Sequence, residues 1–172
     1  ASIDGLLGDA IPRRLMRPTR DEIHDPLFGH LKWSADMEWY EGRIEILPGS
    51  LVRVTFHKDV DIEFAEVISV AHKQLEPLKS KLPDIYAEVR REYLELYNRS
   101  WATAVNGYGQ PANRGKTSKA DFDTLVRLKD VSFKYGTMID LWYSEDEGLF
   151  GGHSILVQLN EHLDVESTGL EG

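Results

Sequence analysis

Hydrophobic and polar positions alternate with a period of two over residues 39–46 and again over 51–56, with Pro48-Gly49 between the runs. Alternate side chains of a strand point to opposite faces, so the pattern predicts a β-meander with one dry and one wet face, entered by a strand over 28–33. The period then changes. Ile62, Ala65, Ile68, Ala71, Leu75 and Leu78 recur at helical spacing between residues 61 and 81, with Asp59 or Asp61 placed to cap the start. Pro83 suits the first turn of a helix and is expected to open a second one, whose stripe of Ile85, Val89, Tyr93, Leu96, Tyr97 and Trp101 runs to about residue 104.

Residues 106–116 form the one clear loop, rich in Gly and Asn. Ser118 and Asp121 have capping-box spacing and start a short helix through residue 128. Residues 131–134, 137–143 and 153–160 read as strands, followed by an extended piece near 163–165. The fold class expected is α+β: an antiparallel sheet, made of the N-terminal meander plus the C-terminal strands, packed against two long helices and one short helix. Residues 1–24 lack sustained periodicity and are expected to form an N-terminal arm; residues 25–172 form a single domain.

Composition narrows the function classes. A chain of 172 residues buries roughly two-thirds of its unfolded surface, enough for one core. The absence of cysteine excludes disulfides, thiolate zinc sites and a cysteine nucleophile, and no apolar run reaches the ~18 residues of a membrane span. A cytoplasmic protein is expected. The formal charge of −9 opposes direct nucleic-acid binding. That charge is uneven: residues 10–20 hold Arg13, Arg14, Arg17 and Arg20 without an acid, whereas 139–172 hold eight acids and no Lys or Arg.

The candidate chemistry is sparse. Gly109 and Gly115 enclose five residues rather than the four of a phosphate loop, and no strand precedes them. None of the six histidines lies three or four residues from another, and the candidate pair is His153 with His162, expected on neighbouring strands, so neither a metal nor a cofactor is expected. His153 and Ser154 are adjacent in a strand and face opposite ways, which argues against a serine triad. Asp140, Glu145, Asp146 and Glu147 gather at the end of one strand, where His153, Asp146 and Asp140 are the candidate acid/base groups beside the loop at 107–115. Trp142 and Tyr143 must present one ring to each face of the sheet.

The chain resembles the family known as domain of unknown function 2262, through Asp25-Pro26-Leu27-Phe28-Gly29-His30-Leu31 and Trp39-Tyr40-Glu41-Gly42. The likeness continues through Tyr93-Leu94-Glu95-Leu96-Tyr97-Asn98-Arg99-Ser100-Trp101, the capped helix from Ser118, and the stretch from Ile139 through Phe150-Gly151-Gly152-His153-Ser154-Ile155. The resemblance implies the fold and supplies no activity; relatives of this type look like bacterial accessory or immunity proteins. The leading expectation is therefore a non-enzymatic binding or immunity-type protein that meets a basic, toxin-like partner through an acidic surface. Its contact residues would be Trp142, Glu145, Asp146, Glu147 and Phe150. The alternatives are a small-molecule-binding or hydrolytic enzyme with a His/carboxylate site, and a homo-oligomeric structural protein.

Overall fold

In the computed structural model, which describes residues 22–172 apart from 106, 112, 135–136 and 145–147, eight strands form one sheet whose spatial order follows chain order. The first half is β1 (Ile23–Asp25), β2 (Gly29–Ser34), β3 (Trp39–Leu47) and β4 (Ser50–Phe56). The second half is β5 (Arg127–Phe133), β6 (Ile139–Ser144), β7 (Ser154–Leu159) and β8 (Val165–Glu171). Neighbours are antiparallel except β4 and β5, which run parallel. The expected α+β architecture is present, with this parallel joint fusing its two antiparallel halves. The joint is reached by a crossover containing α1 (Phe64–Leu96), a π-helical turn over Tyr97–Trp101 and α2 (Lys119–Leu125).

The two long helices anticipated from Pro83 are one. Pro77 and Pro83 both lie inside α1, a helix of 33 residues and about 50 Å. The reason lies in the phase of its apolar stripe. Leu75, Leu78, Leu82, Ile85 and Val89 continue at steps of three and four straight through the second proline and are all buried, whereas both prolines are exposed. The backbone hydrogen bonds that the prolines remove are lost on the solvent side, where packing of the opposite face outweighs the cost. Neither Asp59 nor Asp61 caps the helix: Glu63 occupies that position without a side-chain bond, and Asp59 accepts from the adjacent Val60 amide at 2.7 Å. The cap foreseen at Ser118 is present, its hydroxyl accepting from Asp121 N at 3.1 Å.

The helix buries one face of the sheet. Near its N-terminus, Phe56 stacks on Phe133 at 5.3 Å and Phe28 meets both edge-on, at 4.9 and 5.4 Å. At its C-terminal end, Phe150 takes edge contacts from Tyr93, Tyr97 and Trp101. Tyr86 donates to Asp123 at 2.8 Å and Arg90 pairs with the same carboxylate at 3.0 Å, which fastens α2 to the middle of α1. Burial and the Asp123 bond push the Tyr86 hydroxyl well above its ordinary pKa, so it stays a donor. Among the described residues no helix is long and apolar enough to cross a membrane.

If Pro83 merely interrupts the hydrogen-bond ladder of one helix, Pro83→Ala should stabilise the protein by about 1–3 kcal/mol in denaturant titration. A loss of stability would mean that the proline starts a separate helix.

Candidate functional site

Among the described residues the opposite face of the sheet carries no helix, and polar residues cross it in register. Because alternate residues share a face, the pairing Arg43↔Arg53↔Asp130↔Trp142 lays one row across β3 to β6. The next row is Glu41↔Thr55↔Ser132↔Asp140. Beyond it stand Trp39, His57 and Lys134. All of these residues except Glu41 and Thr55 line a cleft of about 740 Å³, together with Met37 and Leu51.

The floor beneath this cleft is polar and buried. Thr55 is 0% exposed, Asp140 2%, and Ser132 and Asp130 are also buried. Such groups are costly to bury unless bonded, and most of them are. Thr55 donates to the Ser132 hydroxyl at 2.9 Å, Ser132 reaches Asp130 at 3.4 Å, and Arg53 closes the row with a short bond to the other Asp130 oxygen. His57 Nε2 lies 3.0 Å from the Thr55 hydroxyl. With Thr55 donating onward, His57 enters the chain as a neutral Nε2–H donor. Burial raises the Asp130 pKa despite its bond to Arg53. His57 is pushed the other way, first by burial and then by the Lys134 charge, against the attraction of Asp140.

Asp140 is the exception to this satisfaction. Its Oδ2 pairs with Lys134, whereas its Oδ1 is buried and has no hydrogen-bond partner among the described residues. Two indoles overlook the floor. Trp39 packs edge-on against His57 at 4.6 Å, lies under the Arg53 guanidinium at 5.8 Å and donates to Glu41 at 2.8 Å. Trp142 flanks the other side. Arg43, Arg53, Lys129 and Lys134 line the cleft with Asp130 and Asp140, and Glu41 stands on the same face, so among the described residues cations outnumber acids here in a chain of net charge −9.

Two of the anticipated site residues thus share this face, Asp140 and Trp142, but not in the company foreseen. Asp140 pairs in register with Gln158, five residues along β7 from His153, or roughly 16 Å at strand spacing. His153 is exposed and lies beside Trp101, ring centres 6.4 Å apart, so it does not converge with Asp140. Glu145, Asp146 and Glu147 lie outside the described residues. Phe150, expected on a contact surface, is 1% exposed and anchors the end of α1. The loop at 107–115 is tied down rather than opened into a site: Tyr97 donates to Gly115 O at 2.9 Å, and Asn113 donates to Trp101 O at 3.1 Å. His57, Thr55, Asp130 and Ser132 were not singled out from the sequence, where alternating polar residues read as a solvated face. The signal available was that β4 and β5 both place small hydroxyls and charges at alternate positions, Arg53-x-Thr55-x-His57 and Asp130-x-Ser132-x-Lys134.

These features define an α+β protein with a polar, cation-rimmed cleft on the open face of its sheet. The chain belongs to the family of domain of unknown function 2262, described as an uncharacterized protein conserved in bacteria, whose model matches residues 25–170. No curated protein and no solved structure matches the chain.

The lowered pKa of His57 fixes the sign of a pH effect. An unfolded imidazole binds its proton near pH 6.5 and the folded one only at lower pH, so the unfolded state carries more protons in between. Unfolding free energy should therefore fall as pH drops from about 6.5 through the folded value. His57→Gln should flatten that part of the curve in denaturant titrations at pH 7 and pH 5; an unchanged slope would show that His57 is not held neutral.

Proposed function

We propose that the protein binds a small polar ligand on the open face of its sheet, the ligand carrying an anionic group and at least one hydrogen-bond donor. The observation that carries this reading is Asp140 Oδ1, which has no partner among the described residues and is buried in a cleft of about 740 Å³. A buried carboxylate oxygen without a donor costs free energy that folding alone does not recover, and a ligand N–H or O–H supplies what it lacks. The cations of the rim suit the anionic part: Arg43 and Lys129 form no ion pair with a carboxylate among the described residues, and Arg53 offers a planar fork beside them. Trp39 and Trp142 give the ligand two apolar faces and orientation.

Acid–base catalysis in the same cleft is a second reading, favoured by the neutral His57. Against it, the hydroxyl that His57 touches belongs to Thr55 and is already committed to Ser132. No carboxylate hydrogen-bonds His57 among the described residues to orient it. An acidic docking surface would draw on the exposed Glu161, Glu166 and Glu171 rather than on this cationic face.

The test separates structural from functional need. Replacing a buried ion pair by apolar residues of similar size is neutral or stabilising by up to about 4 kcal/mol. Lys134→Met with Asp140→Leu should therefore leave the fold as stable or more so. Wild-type protein should be stabilised by a member of a panel of sugar phosphates, nucleoside monophosphates and amino acids, by about 2.7 kcal/mol at a hundredfold excess over Kd. The double variant should lose that response. A panel without effect on the wild type, or an equal effect on both proteins, contradicts the reading.

A further inference from the structure

The β1–β2 hairpin holds a second constellation, independent of the cleft. Its turn is locked from within: Asp25 Oδ1 accepts from Leu27 N at 2.9 Å and from Phe28 N at 2.8 Å, and Gly29 takes the positive φ of 73° that the reversal needs. Asp25 Oδ2 is in turn held by His72 from α1 at 2.7 Å.

A hairpin fixed in this way sets its register, and the register places His24 directly opposite His30. Their rings stack with centres 4.7 Å apart and planes 6° apart. Glu22 reaches back so that its Oε2 lies 2.5 Å from His30 Nε2. One donor atom from each of Glu22, His24 and His30 then falls within 4.8 Å of the other two. A tetrahedral ion with bonds of about 2.0–2.1 Å needs donors about 3.4 Å apart, a contraction that side-chain rotation on this exposed edge provides.

We infer that Glu22, His24 and His30 form a binding site for a transition-metal dication of the zinc type. Two imidazoles and one carboxylate are the borderline donor set that selects Zn²⁺, Co²⁺, Ni²⁺ or Cu²⁺ over Ca²⁺ and Mg²⁺, which prefer oxygen alone. Three protein donors on an exposed strand leave a fourth position open to water or to a group from another molecule. An exposed His–Glu pair contributes little stability by itself, so the constellation is not explained by folding. Its positions were legible only through the hairpin: His24 and His30 stand symmetrically about the Asp25–Gly29 turn, six residues apart, a spacing with no meaning on a helix and a cross-strand pair in a hairpin.

The site is tested on the full chain after treatment with EDTA and dialysis. Calorimetric titration with ZnCl₂ should show saturable uptake of one equivalent that MgCl₂ does not compete for, and CoCl₂ should develop visible absorption bands of a coordinated ion. Changes outside the metal's own ligands already cost about tenfold or more in affinity, so His24→Ala and His30→Ala should each weaken Zn²⁺ uptake at least tenfold. His162→Ala, at another exposed histidine, should leave it unchanged. Should either variant fail to fold, the imidazole resonances of the wild type decide, with His24 and His30 shifting on Zn²⁺ addition. Absence of saturable uptake, uptake retained in both variants, or equal loss in His162→Ala overturns the assignment.

Discussion

The parallel pairing of β4 with β5 is the contact on which the rest of the structure depends. Residues 77 apart in sequence meet there, and a parallel pair cannot be closed by a tight turn. The crossover that makes the connection is α1, and its unbroken apolar stripe covers the dry face. Setting Val54 against Val131 and Phe56 against Phe133 for the core also sets Arg53 against Asp130 and Thr55 against Ser132 on the other face. A slip of one residue would turn both sets over. Core packing on one side therefore fixes the geometry of the polar floor on the other.

Local patterns were legible where local physics decides. The alternation over β3 and β4 and the Ser118 cap each follow from neighbours within a few residues, and they appear as expected. Pro83 misled because its preference for a first turn is a local signal, whereas the continuity of α1 is decided by Leu78, Leu82 and Ile85 packing on a distant sheet. The aromatic pair Trp142-Tyr143 did divide between faces, one ring over the cleft and the other in the core.

The candidate site was far less legible, and for a reason of the same kind. Its members come from β3, β4, β5 and β6, and neither half of the chain holds enough of them to look like a site. Asp140 stood out as one acid in an acidic segment; in the fold it is a buried carboxylate beside Lys134, with His57 from the other half. The acid-rich segment from residue 139 onward likewise divides in three dimensions, Asp140 interior, Asp164 paired with Lys81, and Glu161 and Glu166 exposed. Net charge along the chain therefore says little about the charge of any one surface.

A sheet face that only had to be wet would carry exposed charges over an aliphatic or small-residue floor. This one instead buries a hydroxyl pair and two carboxylates and leaves one oxygen unbonded among the described residues, a cost that suits a floor shaped for something it receives. The most direct measurement is a two-dimensional NMR map of the protein exposed to the low-molecular-weight fraction of a bacterial extract. The account predicts shifts at the Trp39 and Trp142 indole N–H groups and at the amides of Arg53, Thr55, Ser132 and Asp140. Shifts confined to the acidic stretch from Glu161 to Glu171, with the cleft silent, would contradict it.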